Sequence, residues 1–319
     1  MRKHLLLSIK ILTTFGLLYW IATKIDFDTL KNFKHTLNLD ALSLGMTFVA
    51  AQFFAGVWRW CLILPVFHVH QPFRTALQIY WMGMFFNSCL PTGIAGDVLR
   101  VQMMRGANTS IFKLTNAVFL DRLIGLLVVL LIVESSLFIF KSMLSSLPIL
   151  SVFQTLALFG SLGFIALSYL HRLPITWPRF RLTRIIQQLS LDTNLLWQFP
   201  FQTSLMFIAT LLGNIGQVLA IYFLARSLHL PITLQNCWVF VPMIIVAMSL
   251  PISIGGWGVR EGAMITFFSL IGISKTAAFS LSVLFGVMMF LIYIPGGIFW
   301  ILWRKKNSLV GTTLQPREL

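Results

Sequence analysis

The chain has 319 residues, of which 57% are hydrophobic and 10% are charged, and its mean hydropathy is +0.85. Soluble globular domains carry roughly 25% charged residues, so this composition excludes an ordinary soluble protein and indicates a chain that folds in a lipid bilayer. The formal net charge is +15. The basic residues occur in short clusters at the ends of apolar segments, a pattern that argues against nucleic-acid binding and for membrane topology.

Apolar runs long enough to cross a membrane recur along the chain. A helix of about 20 residues spans a hydrocarbon core of roughly 30 Å. Six such runs predict six full spans, near residues 5–23, 41–64, 114–140, 148–170, 201–224 and 276–303. Because no small-residue cleavage site follows the first run, we expect it to be a retained helix and not a signal peptide.

The basic clusters predict how these spans are oriented. By the positive-inside rule, Lys and Arg next to membrane helices face the cytoplasm. We therefore expect cytoplasmic N- and C-termini, a cytoplasmic basic loop over 171–200 and a location in the cell membrane. The residues behind this expectation are Arg2, Lys3, Arg172, Arg179, Arg181, Arg184, Arg304, Lys305 and Lys306.

Two helix-breaking sequences follow shorter apolar segments. The first follows 75–90 and reads Leu-Pro-Thr-Gly-Ile-Ala-Gly-Asp-Val-Leu-Arg, ending at Arg100; the second follows 236–250 and reads Leu-Pro-Ile-Ser-Ile-Gly-Gly-Trp-Gly-Val-Arg, ending at Arg260. Unwound backbone at membrane depth is tolerated only where it is buried in protein or lines a wet cavity. We predict a re-entrant broken helix at each place. The expected turn residues are Pro91, Gly93, Gly96, Pro251, Gly255, Gly256 and Gly258.

The two sequences lie 160 residues apart, and the same offset aligns the spans on either side of them. A unit of span, re-entrant segment and span therefore occurs twice, over about 41–140 and 201–300. A re-entrant first segment keeps the 171–200 loop cytoplasmic and gives the two units opposite orientations. Inverted repeats with interrupted helices at corresponding positions are typical of secondary transporters, whose binding sites lie between the repeats.

Each helix-breaking sequence ends in an arginine beside freed backbone amides. Such amides form anion-binding nests, and a guanidinium group binds phosphate through paired hydrogen bonds. We therefore expect Arg100 and Arg260 to neutralise the phosphate of a ligand. Asp97 and Glu261 are interpreted as the counterions that hold these arginines in place.

Other ionisable residues lie in or near the apolar segments, where a charge is costly and usually functional. Asp121 and Arg122 are adjacent near the start of one span. Glu134 follows Asp121 by thirteen positions, so the two side chains need not share a helix face; either is a candidate to couple transport to protons. Arg59, between two tryptophans, is interpreted as reaching the membrane interface. Asp192 is interpreted as a solvated loop residue.

No sequence motif indicates a cofactor or a metal. His68 and His70 lack further ligands at suitable spacing, and the three cysteines lie far apart in apolar stretches. The chain has no nucleotide-binding phosphate loop, nucleophile elbow or zinc-protease motif. We expect no cofactor, no metal and no enzymatic activity of its own.

Three signatures occur in order: Asn87-Ser-Cys-Leu-Pro-Thr-Gly-Ile-Ala-Gly-Asp-Val-Leu-Arg100, Asp121-Arg-Leu-Ile-Gly125 and Pro251-Ile-Ser-Ile-Gly-Gly-Trp-Gly-Val-Arg-Glu261. Over about residues 5–303 the chain resembles the transmembrane-region family of lysylphosphatidylglycerol synthases, whose stand-alone members are called flippase-like proteins. The resemblance implies movement of lipids such as aminoacylated phosphatidylglycerol or lipid-linked sugars. It implies substrate-binding positions at Asn87, Asp97, Arg100, Asp121, Arg122, Arg260 and Glu261.

The chain departs from the family pattern in two ways. Thr92 and Ala95 stand where the family's turn often has glycine, which could alter the cavity. The lysyl-transferring members carry a large soluble catalytic domain after the membrane region; we do not expect that domain here, so the family name does not predict synthase activity.

The expected function is translocation of an anionic phospholipid or a polyprenyl-phosphate-linked lipid across the cytoplasmic membrane, with membrane lipids as partners and no nucleic acid. Two alternatives stay open. One is a membrane-embedded enzyme that modifies a lipid phosphate or glycolipid, with Asp97, Asp121 or Glu261 as general acid or base. The other is a non-catalytic partner that recruits a lipid-modifying enzyme through the 171–200 loop.

Overall fold

The computed structural model describes residues 37–90, 94–105, 110–140, 149–172, 181–249 and 258–313. These residues form ten α-helices, a short 3₁₀ turn at Leu170–Arg172 and no strand, which confirms the all-α prediction. In chain order the helices are α1 (Leu39–Val66), α2 (Phe73–Cys89), α3 (Ala95–Met103), α4 (Ile111–Ile139), α5 (Ile149–Tyr169), α6 (Arg181–Gln198), α7 (Pro200–Ser227), α8 (Leu234–Ser249), α9 (Val259–Ser269) and α10 (Lys275–Thr313).

Within the described residues, five helices are long and apolar enough to cross a membrane: α1, α4, α5 with its 3₁₀ extension, α7 and the part of α10 up to Arg304. They lie where the sequence predicts five of the six spans; the other, at 5–23, lies outside the described residues. Large apolar side chains such as Phe138, Phe159 and Phe201 are exposed on these helices. A lipid surround accounts for this exposure, because apolar side chains have no cost in hydrocarbon.

Hydrogen bonds between helices show how the bundle is arranged. The backbone N–H of Asn38 donates to Ser227 O at 3.1 Å, so α1 begins where α7 ends, and these two antiparallel helices form the most extensive pair. Asn116 near the start of α4 donates to Asp192 of α6, and α6 leads directly into α7. The end of α1 and the starts of α4 and α7 therefore lie at one end of the bundle, which we call the α6 end.

The two interrupted helices enter the bundle from opposite ends. The α2–α3 pair begins after α1 and leads into α4, so it starts and finishes at the α6 end. The α8–α9 pair begins after α7 and leads into α10, whose first turns share a hydrophobic cluster with Leu228 and Leu230 at the opposite end. At 1.5 Å per residue, α2 and α8 measure only about 25 Å each.

Helix contacts occur in matching pairs if α1 to α4 are compared with α7 to α10. In this comparison α7, α8 and α10 are the counterparts of α1, α2 and α4. Helix α2 packs on α10, and its counterpart α8 packs on α4. Helix α1 contacts α2, α4 and α10, and α7 contacts the counterparts of these three helices. His68 and His229, at corresponding turns after α1 and α7, both have positive φ, 58° and 53°. An internal repeat requires this pairing; the repeat itself stays a prediction.

The stretch interpreted as a cytoplasmic loop is in part a helix, α6, which packs on α4 and α5. The interpretation of Asp192 as a solvated residue is wrong, since it is 7% exposed and accepts hydrogen bonds from Asn116 and, at 3.1 Å, from Gln188. Burial raises the pKa of the Asp192 carboxyl, against the opposing effect of these two hydrogen bonds. The sequence did not reveal this burial, because Asn116 of α4, which binds the carboxyl, lies 76 positions away in the chain.

Candidate functional site

Five charged side chains from three helices meet inside the bundle and form what we call the first ion cluster: Arg59 of α1, Asp97 and Arg100 of α3, and Asp121 and Arg122 of α4. Asp121 is buried at its centre. Its Oδ1 accepts from Arg59 Nε at 2.7 Å, and its Oδ2 accepts from Arg100 Nη1 and Nη2 at 3.2 and 3.1 Å. Charge-assisted hydrogen bonds of this kind are what make buried charges tolerable.

Arg100 is fully buried, with 0% of its side chain exposed. Its guanidinium carbon lies 3.8 Å from the centroid of the Trp60 ring and 4.8 Å from that of Tyr80, distances at which cation–π attraction operates. Gly83 leaves the room for it, because a Cβ there would lie 2.7 Å from Arg100 Cδ. Arg100 thus organises the cluster from an enclosed position, and its contact with a phosphate stays a prediction.

Asp97 pairs mainly with Arg122 and only weakly with Arg100, its expected partner. Arg122 Nη2 lies 3.0 Å from both Asp97 oxygens and Nε lies 3.2 Å from Oδ2, whereas Arg100 Nη1 is 3.4 Å from Oδ1. Asn87 of α2 donates to Asp97 Oδ1 at 3.3 Å and accepts from Gly96 N at 2.9 Å. Asn87 therefore fixes the start of α3 against α2.

Arg122 is the accessible cation of the first ion cluster. Its side chain is 51% exposed, and Asp97 holds its Nε and Nη2. In the part of the chain that the structure describes, Nη1 of Arg122 has no hydrogen-bond partner. The guanidinium group is thus oriented by the protein on one edge and open on the other.

Arg59 is the cluster member that sequence analysis missed. It does not extend to the interface, because its side chain is 14% exposed and is bound to Asp121. Its Nη1 also lies 3.5 Å from Thr210 Oγ1 of α7, and a Cβ on Gly125 would come within 3.2 Å of Nη1. The signal that could have found it is the one applied to Asp121: a charge inside an apolar run needs a partner.

A smaller group, the second ion cluster, consists of Arg260 and Glu261 of α9 with Ser282 of α10. Arg260 Nε and Nη2 donate to Glu261 Oε1 at 3.0 and 2.5 Å, and Ser282 Oγ lies 3.1 Å from Arg260 Nε. The expected pairing of Arg260 with Glu261 is confirmed. Both side chains are buried, and Glu261 Oε2 also accepts from Gly258 N, which caps α9.

Two turn residues are described, and each has a structural role. Gly96 packs so closely on α2 that a Cβ would lie 1.8 Å from Gly83 O. Gly258 has φ of 84°, in the left-handed region that favours glycine. The others that the sequence singles out lie outside the described residues: Pro91, Gly93, Pro251, Gly255 and Gly256.

Glu134 is not brought to the first ion cluster. It follows Arg122 by twelve residues in α4, which places it about 18 Å further along the helix axis. Its Oε1 is buried and, among the described residues, has no hydrogen-bond partner. Across those same ranges, no group of three His, Cys, Asp or Glu side chains is placed to hold a metal ion.

Apolar spanning helices that enclose ion clusters define a multi-pass helical membrane protein. A family model described as the lysylphosphatidylglycerol synthase TM region matches residues 6–297. The chain belongs to this family, as the resemblance of its motifs predicts. No curated protein matches the chain. Membership of the family supports a membrane protein involved in lipid handling.

Proposed function

We propose that the protein translocates an anionic lipid, either a phospholipid or a polyprenyl-phosphate-linked lipid, across the cytoplasmic membrane. The charge of the first ion cluster carries this proposal. Its three arginines and two aspartates leave one net positive charge, whereas Arg260 and Glu261 of the second ion cluster cancel. A charge at the bilayer centre costs about 2.5–3.5 kcal/mol on insertion scales. A ligand with one negative charge, such as a phosphodiester, would offset that cost.

Arg122 makes the first contact with the headgroup in this proposal. It is the half-exposed cation, and its open edge suits the paired hydrogen bonds that guanidinium forms with phosphate. Asp97 keeps the Nε and Nη2 edge and holds the guanidinium in place while the phosphate binds the open edge. Arg59 and Arg100 remain behind, where their hydrogen bonds hold Asp121 in position, while the acyl or prenyl chains stay in the bilayer.

Rocking of two inverted repeats would move this site between the two sides of the membrane. Matching helix contacts and the entry of α2–α3 and α8–α9 from opposite ends of the bundle support this part of the proposal. The α1–α7 pair would serve as the common axis. The α6 end would face the cytoplasm, as the basic residues around 172–184 predict.

The arrangement favours transport over catalysis. Asp97 and Asp121 both bind arginines, so their carboxylates position cations instead of standing ready to exchange protons with a substrate. We therefore propose that the protein has no enzymatic activity of its own and carries its lipid unchanged.

Reconstitution of the purified chain in liposomes with labelled phosphatidylglycerol tests the proposal. We expect translocation in which the lipid is unchanged. Arg122→Gln should slow it at least tenfold, because a hydrogen bond to a charged group contributes about 1.5–3 kcal/mol. Arg105→Gln, which removes an exposed arginine outside the cluster, is the matched control. Equal rates in the two variants would contradict the site, and a chemically altered lipid would indicate an enzyme.

A further inference from the structure

Helix α6 buries the polar side chains of Ser190 and Thr193 beside Leu196, and it exposes two large apolar side chains on its outer face. Ser190 and Thr193 of α6 are buried, and Ser190 Oγ accepts from the backbone N–H of His171 at 2.8 Å. Leu191 and Trp197 on the same helix are 42% and 52% exposed. Large apolar side chains left exposed on an outer face are costly in water and are tolerated in lipid. The outer face of α6 is therefore suited to lipid.

Three exposed side chains form a continuous surface there, which we call the interfacial platform: Tyr169, Arg172 and Trp197. The rings of Tyr169 and Trp197 are nearly parallel, with centroids 6.3 Å apart. The Arg172 guanidinium carbon lies 5.0 Å from the Tyr169 ring centroid. The platform connects the last turn of the α5 span with α6. Tyr and Trp concentrate at this level in membrane proteins, because their amphipathic rings suit the headgroup region.

The charge of this part of the chain favours an anionic occupant. No acidic residue occurs between Glu134 and Asp192, and Asp192 itself is buried on the inner face of α6. Four basic residues follow the α5 span in the sequence: Arg172, Arg179, Arg181 and Arg184. Basic residues beside a membrane attract anionic lipid headgroups by about 1 kcal/mol each.

We propose that the interfacial platform binds the phosphate group of an anionic phospholipid of the surrounding bilayer. Arg172 contacts the phosphate, and the rings of Tyr169 and Trp197 lie beside the glycerol and the first methylene groups. This site is separate from the first ion cluster and does not depend on the proposed translocation. The bound lipid anchors α6 to the membrane surface, so α6 lies in the interface instead of extending into the cytoplasm.

Fluorescence quenching in nanodiscs tests the proposal at the site itself. The chain has ten tryptophans, so the emission of Trp197 is obtained as the difference between the wild type and Trp197→Phe. The nanodiscs contain phosphatidylcholine with a minor fraction of phosphatidylglycerol, and either lipid carries bromine, a contact quencher, on its acyl chains. We expect phosphatidylglycerol to quench Trp197 about fivefold more per molecule than phosphatidylcholine.

Variants at Arg172 distinguish a specific contact between its guanidinium group and the phosphate from the general attraction of basic residues for anionic lipid. Arg172→Gln should abolish the excess quenching by phosphatidylglycerol, Arg172→Lys should retain part of it, and Arg105→Gln should retain all of it. Each variant is measured with and without the Trp197→Phe substitution, after its elution volume shows an intact fold. Equal quenching by both lipids, no quenching by either, or a full excess in Arg172→Gln would overturn the proposal; the second result would place the surface in water or against a protein.

Discussion

The two ion clusters correspond in sequence but differ in charge and exposure. Arg100 and Arg260 are 160 residues apart, and both are buried beside a carboxylate. The same offset carries Arg122 onto Ser282, so the second cluster has a neutral hydroxyl where the first has its half-exposed cation. The difference fits the proposal that the second cluster holds helices together and that the first also presents a charge to a ligand.

Removal of Asp121 should have the largest effect, because it leaves two arginines of the first cluster without their shared carboxylate. We expect Asp121→Ala to lower the free energy of unfolding by about 3–5 kcal/mol, the cost of breaking a buried ion pair. Thermal unfolding in detergent measures this. If the variant unfolds at the wild-type temperature, Asp121 is not the electrostatic centre of the cluster.

Glycine substitutions distinguish the packing of the two interrupted helices. Gly96→Ala puts a Cβ 1.8 Å from the backbone oxygen of Gly83, and we expect overpacking to destabilise the fold by about 1–3 kcal/mol. Gly262→Ala on α9 is the matched variant, because its Cβ meets nothing within 4 Å and alanine favours helix by about 1 kcal/mol. Stability losses of the same size in both variants would contradict the close approach of α3 and α2.

Ser282→Ala tests the second cluster more gently. The hydroxyl lies 3.1 Å from Arg260 Nε and 3.3 Å from Glu261 Oε1. Its loss should reduce the free energy of unfolding by about 1.5–3 kcal/mol, because the hydroxyl bonds two charged groups. A much larger loss would mean that Ser282 is essential to the ion pair and that the two clusters are less different than the contacts indicate.

The smallest expected change in stability concerns Asp192. Its carboxyl accepts hydrogen bonds from amide side chains, whereas that of Asp121 accepts them from arginines. Burial raises the pKa of Asp192 in the folded chain. Its contribution to stability is therefore fully present below the unfolded pKa, about 3.9, and is lost as the pH rises through the raised folded value. The stability of the wild type relative to Asp192→Asn should fall over this interval in thermal unfolding measured at several pH values. A rise would show that Asp192 is stabilised as a carboxylate.

Hydropathy was sufficient to predict α1, α4, α5, α7 and α10, because a membrane span depends on the composition of one continuous run. The partners of the charges were harder to predict. Asp97 lies three residues before Arg100, yet it binds Arg122 more closely, since the packing of α3 on α4 decides which arginine it meets. The Arg59–Asp121 pair joins residues 62 positions apart, and no local pattern specifies such a contact.

The central claim is that the first ion cluster, through Arg122, binds the phosphate of a lipid during translocation. The most direct measurement is the rate of phosphatidylglycerol translocation in liposomes for Arg122→Gln beside Ser282→Ala, the variants at the two corresponding positions. The account predicts that the translocation rate of Arg122→Gln is at least tenfold lower than that of Ser282→Ala. Equal rates in the two folded variants would contradict it.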